Sequence, residues 1–184
     1  MRDDTTVQHL TRVVVVGSSC SGKTTFAREL AAILNFPHVE LDALHWGPGW
    51  VPKAASEFAH LTEIATAAPR WVVDGNYRIV REIVWPRATS IVWLNLDFAT
   101  VFARAIRRTL RRSISGEQLY AGNRESLGRA LLSRDSILLW VLQTYGLRRR
   151  EFQTLKHGAQ DHRWLEFRRQ SEASAFLQSI RHAG

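Results

Sequence analysis

"VVVVGSSCSGKTTFA", Val13 to Ala27, is the stretch on which the architecture of this chain turns. Consecutive valines, apolar and β-branched, read as a strand buried on both faces, expected over Thr11–Val16. Phe26, Leu30, Ile33 and Leu34 then recur at helical spacing, so Lys23–Leu34 is expected to be a helix. Between them "GSSCSGKT", Gly17 to Thr24, fits the pattern G-x-x-x-x-G-K-[ST]. Its position matters more than its letters, because it leaves a buried strand and opens an amphipathic helix. In that setting the backbone amides of Gly17, Ser18, Ser19, Cys20, Ser21 and Gly22, with the helix start at Lys23, Thr24 and Thr25, form a nest for phosphate oxygens. Lys23 is expected to reach the β- and γ-phosphates of a nucleotide, and the Thr24 hydroxyl to ligate Mg²⁺.

Working outward, Phe36–Leu41 is a second strand candidate, Gly47–Pro52 ("GPGWVP") a loop, and Lys53–Ala68 an alanine-rich helix stopped by Pro69. Arg70–Asp74 and Thr89–Asp97 give further strands, with Asp97 placed to cap the arginine-rich helix behind it. A polar break over Ser113–Asn123 precedes a helix expected over Arg124–Leu147. A fifth strand begins at His162, and Ser171–Ile180 closes the chain as a helix. Strand and helix alternate, which points to an open parallel sheet with helices on both faces. At 184 residues one domain is expected, residues 1–184.

The composition, 45% hydrophobic and 23% charged, is that of a soluble globular protein. The longest apolar run outside the first strand, Ile137–Leu142, is far below the roughly 20 residues that cross a bilayer. The polar N-terminal segment has no signal-peptide pattern, so a cytoplasmic location and no membrane partner are expected. A single cysteine, Cys20, excludes an internal disulfide and a cysteine-cluster metal site, and reads as a small filler of a variable loop position. The net charge of +8 is uneven: "RAIRRTLRR", Arg104 to Arg112, concentrates arginine, as does Arg148–Arg150. Arginine suits bidentate phosphate contact, so a phosphorylated small ligand accounts for these clusters as well as nucleic acid does.

Two carboxylates stand where ligands bind in open α/β sheets, at the carboxyl ends of strands. Asp74 ends "WVVD" and is the expected partner of Thr24 at Mg²⁺; Asp42 ends "HVELD" and is expected near a phosphoryl acceptor.

The motifs "GSSCSGKTTFARELA", "LDALHWGPGWV", "VVDGNYR", "VWPRATSIVWLNLD", "RAIRRTLRR" and "GNRESL" together resemble the nucleoside monophosphate kinase-like P-loop proteins. Within them the chain is most similar to the bacterial adenylate-kinase-related group often labelled "DNA topology modulation protein". The resemblance implies a P-loop NTPase three-layer α/β/α fold with a five-stranded parallel sheet of order 2-3-1-4-5, an ATP site at the glycine loop, and an acceptor site across the sheet. It implies that Arg104 and Arg108, one helical turn apart, face the phosphates from the start of a short lid spanning about residues 104–150. "DGNY", Asp74 to Tyr77, stands where adenylate kinases carry Asp-Gly followed by Phe-Pro-Arg. Asp74 and Gly75 agree and the next positions do not, which weakens the case for AMP as acceptor.

The acceptor side is expected to draw on Asp42, His45, Trp46, Gly75, Asn76, Tyr77, Arg81 and Arg124, with Trp50 close by. Trp46 and Trp50 can stack on a base or a sugar ring, or simply pack. His45 is the weaker candidate for a general base. Arg81 offers a clamp for an anionic acceptor, with Arg78 as a neighbour. Asn123 reads as a helix cap, with Glu125 near the positive end of the helix. The expected function is therefore an ATP-dependent phosphotransferase acting on a nucleotide or another small hydroxylated or phosphorylated acceptor. The competing reading is an ATP- or GTP-binding regulator acting on DNA or a protein. No helix-turn-helix or zinc-finger pattern supports nucleic acid as the favoured partner.

Overall fold

Val13 and Val15 enter one hydrophobic core and Val14 and Val16 another, so the first strand is covered on both faces, as its valine run requires. In the computed structural model, which describes residues 9–115, 119–123, 137–158 and 162–183, that strand is β1 (Arg12–Gly17). It lies at the centre of a parallel sheet with β2 (His38–Glu40), β3 (Trp71–Asp74), β4 (Ser90–Leu94) and β5 (Arg163–Phe167), in the order β2-β3-β1-β4-β5. The 2-3-1-4-5 order matches the expectation from resemblance. Register brings the carboxyl ends level: Glu40 pairs with Asp74, Val15 with Asp74, and Gly17 with Leu94.

On one face α1 (Lys23–Leu34) and α7 (Gln170–Ala183) pack against the sheet through Phe26, Leu30, Leu177 and Ile180. On the other, α3 (Ala55–Ala65) supplies Phe58, α4 (Arg81–Val84) supplies Val84, and α6 (Ile137–Gly158) supplies Phe152. The remaining helices are α2 (Leu41–His45), directly after β2, and α5 (Phe98–Ser115), after β4. A third cluster, Leu96, Val101, Ala105 and Val141, joins α5 to α6.

Asp97 caps α5 as expected: Thr100 N donates to its Oδ1 at 2.9 Å, and the Thr100 hydrogen bonds hold its carboxyl below the usual range. Two expectations are corrected. The second strand stops at Glu40, because buried Leu41 turns the chain into α2; Asp42 therefore lies in a short helix and not at the strand end. The helix expected to finish at Leu147 continues to Gly158, since no breaker intervenes and Phe152, 0% exposed, anchors its last turns in the core. Residues 124–136, where that helix was expected to begin, lie outside the described residues. Among those described, no helix is long and apolar enough to cross a membrane.

Candidate active site

The glycine loop is shaped by positions that tolerate no side chain. Gly17 has φ +153°, and a Cβ there would lie 2.7 Å from Leu94 O and 2.8 Å from Ser21 Oγ. Gly22, φ +95°, stands at the start of α1 with no side-chain cap, so the first amides of the helix are left for another acceptor. Ser21 N donates to Ser18 O at 3.2 Å, closing the turn, and Lys23 folds back so that Nζ donates to Ser18 O at 3.0 Å. Burial lowers the Lys23 pKa from its ordinary value, while the nearby carboxylates of Asp42 and Asp74 oppose that shift. The lysine is thus held by the loop and feels the charge of both carboxylates.

Two arginines of α5 close the loop from the far side. Arg104 Nη1 donates to Ser21 O at 3.0 Å and its Nη2 to Gln170 Oε1 at 3.0 Å. Arg108 Nη1 lies 3.8 Å from Cys20 Sγ, and Cys20 itself adopts φ +63°. The four-residue spacing on α5 brings both guanidinium groups to the loop. Asn76 is engaged by the loop: its Nδ2 donates to Gly17 O, and Gly17 N donates to its Oδ1 at 3.3 Å. It clamps both polar groups of one glycine.

Asp74, the last residue of β3, is 2% exposed, and its Oδ2 has no hydrogen-bond partner among the described groups. Its Oδ1 lies 3.8 Å from His38 Nε2. A buried, unpartnered carboxylate oxygen beside the phosphate loop fits a hard cation or its water shell, and Mg²⁺ in such sites takes few protein ligands. No group of three or more metal-ligating His, Cys, Asp or Glu side chains occurs among the described residues.

Across from the loop, the Tyr77 hydroxyl donates to Asp42 Oδ1 at 2.6 Å. Burial and then the Asp42 charge raise the Tyr77 pKa, so it remains a donor. His45 is boxed by aromatic rings, with centroids 4.5 Å from Tyr77, 4.7 Å from Trp46 and 5.0 Å from Phe58. Burial pushes its pKa down, against the pull of Asp42. Trp46 and Trp50 meet edge to face at 5.7 Å. Gly75, φ +138°, lets Leu41 approach so closely that a Cβ would be 2.8 Å from Leu41 Cβ.

Tyr120, Glu40 and Glu151, not singled out from the sequence, hold further groups near this wall. Tyr120 donates to Glu40 Oε1, and burial first, then that bond and the charges of Asp42, Glu40 and Asp74, raise its pKa. The helix that Asn123 is expected to cap would begin outside the described residues. Asn123 Nδ2 donates to Gly47 O at 2.9 Å and its Oδ1 accepts from Trp50 N at 3.1 Å, pinning the glycine-proline loop. Glu151 gathers Arg78, Arg81 and Arg148. Glu40 and Glu151 left only faint sequence signals, a carboxylate two positions before Asp42 and one directly after the arginine triplet. Arg124 lies outside the described residues.

No protein-family model and no curated protein matches this sequence. Among solved structures, a gluconokinase from Sinorhizobium meliloti 1021 is similar over 95% of this chain and 91% of that one, with 18% identity and a TM-score of 0.52. Shikimate kinase from Bacteroides thetaiotaomicron is similar over 94% and 97%, with 14% identity and a TM-score of 0.53. Shikimate kinase from Acinetobacter baumannii, in complex with shikimate, is similar over 96% and 93%, with 17% identity and a TM-score of 0.54. At these identities the likeness is one of fold: a five-stranded parallel sheet of order 2-3-1-4-5 between helical layers, the fold of P-loop kinases.

Proposed function

We propose that this protein is an ATP-dependent phosphotransferase that moves the γ-phosphoryl group to a small hydroxylated acceptor. The observation that carries the reading is the position of Lys23, folded into the glycine loop by its bond to Ser18 O and within reach of the charges of Asp42 and Asp74. Gly17 to Thr25 would cradle the phosphates, with Arg104 and Arg108 stabilising charge from α5. Thr24 and Asp74 would hold Mg²⁺, which when bound neutralises charge on the β- and γ-phosphates. Asp42, oriented by Tyr77, would accept the proton of the acceptor hydroxyl as its oxygen forms the new bond to the γ-phosphorus and ADP leaves.

Phosphoryl transfer needs positioning and electrostatics more than covalent chemistry, and these side chains supply both. The unit is one kinase domain whose lid falls within residues 104–150, and the quoted motifs support kinship with the adenylate-kinase-related group. The structurally similar gluconokinase and shikimate kinases make a small-molecule acceptor the natural expectation. The test is an ADP-release screen with MgATP against nucleosides, nucleoside monophosphates, sugars and short oligonucleotides. One acceptor raising release well above the water background supports the kinase; MgATP binding with a flat profile favours a nucleotide-dependent regulator.

A further inference from the structure

Arg81 is the residue that the sequence offers as a clamp for a negatively charged acceptor, and its guanidinium is already engaged. Its Nη2 donates to Glu151 Oε1 at 2.7 Å, Arg78 Nε donates to the same oxygen at 2.9 Å, and Arg148 Nη1 donates to Oε2 at 3.0 Å. The Arg81 guanidinium also lies over the Trp85 ring, 4.9 Å from its centroid. The Glu151 side chain is only 12% exposed and precedes fully buried Phe152 on α6, so the cluster is tied into the core. An anionic acceptor reaching for Arg81 would compete with a carboxylate that the chain itself holds in place. Among the described residues, Arg28 Nη2 lies 4.0 Å from Glu40 Oε2 but is itself mostly exposed, and the cations that meet the glycine loop are Arg104 at Ser21 O, Arg108 near Cys20 Sγ and Lys23 at Ser18 O.

The wall opposite that loop has the reverse sign. Glu40, Asp42 and Asp74, at or just beyond the carboxyl ends of β2 and β3, act together on the Tyr120 hydroxyl. Tyr77 and Tyr120 spend their protons on Asp42 and Glu40, and the buried Asp74 Oδ2 has no hydrogen-bond partner among the described groups. A phosphate or carboxylate brought against Glu40 and Asp42 meets like charge in partly buried surroundings. A hydroxyl meets acceptors, and a ring meets the faces and edges of Trp46 and Trp50.

We infer that the acceptor is uncharged where it enters the site, a hydroxylated ring compound such as a sugar, cyclic polyol or nucleoside, and not a phosphate monoester or carboxylate. This rests on the phosphotransferase reading and narrows its substrate class. The acceptor hydroxyl oxygen forms the bond to the γ-phosphorus, the bridging bond to ADP breaks, and the hydroxyl proton passes to Asp42.

The experiment is ADP release by the wild-type protein with MgATP and matched pairs: adenosine with AMP, guanosine with GMP, glucose with glucose 6-phosphate, and glucose with gluconate. MgATP binding is measured alongside by calorimetry. The inference expects the neutral member of the productive pair to have kcat/KM at least about tenfold above its anionic counterpart, because a like charge in the site is costly. An anionic member equal to or better than its neutral counterpart overturns the inference and leaves the kinase intact. A flat response to both members of every pair, with MgATP bound, overturns the kinase reading and the inference with it.

Discussion

The Tyr77 hydroxyl and the Asp42 carboxylate meet at 2.6 Å although they come from different elements, Asp42 from α2 and Tyr77 from the turn after β3. The bond fixes the carboxylate while the tyrosine ring packs on His45 and Phe58. Tyr77→Phe keeps the ring and removes the donor. Acceptor-dependent kcat is expected to fall roughly tenfold, since a hydrogen bond to a charged group is worth about 1.5–3 kcal/mol. MgATP affinity should stay at the wild-type value. Steady-state ADP release and nucleotide titration check both, and unchanged kcat would remove Tyr77 from the machinery.

Asn76 is expected to serve the nucleotide, not the acceptor. Asn76→Ala strips the Gly17 N–H and carbonyl of their side-chain partner and loosens the loop where it leaves β1. At about 0.5–1.5 kcal/mol for each bond, MgATP should bind roughly tenfold more weakly, with acceptor KM little altered. Isothermal titration with MgATP, alongside acceptor kinetics, separates the two roles. A shift confined to acceptor KM would return Asn76 to the acceptor side.

The sequence makes some of this legible and hides the rest for a physical reason. The limits of α1, Lys23 and Leu34, follow from a local pattern: a glycine before the lysine, apolar residues at helical spacing, and an asparagine in the left-handed conformation behind. Strand-helix alternation points only to an open parallel sheet; the strand order and the placing of Arg104 and Arg108 near the loop come with the family resemblance. Partners far apart in sequence are another matter. Glu151 reaches Arg81 across 70 residues, and Tyr120 reaches Glu40 across 80, so neither pairing leaves a periodic trace. Asn76 shows a subtler limit, because a motif can mark a residue without saying which ligand it serves.

Glu151 makes acid stability predictable in sign. Burial alone would raise its carboxyl, but the hydrogen bonds from Arg78, Arg81 and Arg148 prevail and bring it down to about 2 from an ordinary value of 4.5. A carboxyl depressed in the folded state gives stability that is fully present above the unfolded value and is lost as pH falls through the folded one. The loss contributed by Glu151 should therefore run from about pH 4.5 down to about pH 2. Glu166, buried yet drawn to about 2 by Lys156, Asn95 and Arg168, contributes over the same window. Urea midpoints measured from pH 7 to pH 2 should fall less steeply in Glu151→Gln than in wild type, from a lower starting stability at neutral pH. Parallel curves would mean that the arginine cluster has no net stabilising role.

Asn123 couples the Leu119–Asn123 segment to the loop that carries Trp46 and Trp50. Its side chain holds Gly47 O and Trp50 N, and Trp46 and Pro52 close the same loop through an antiparallel bridge. Asn123→Ala leaves that bridge and the core untouched but releases the loop from its distant partner. If the two tryptophans cover the acceptor, its KM should rise roughly tenfold from the loss of two hydrogen bonds of about 0.5–1.5 kcal/mol each, while MgATP affinity holds. Limited proteolysis should report the release directly, with faster cleavage near exposed Val51. Faster cleavage with unchanged acceptor KM would make Asn123 a purely structural pin and would assign Trp46 and Trp50 to packing, not to the acceptor.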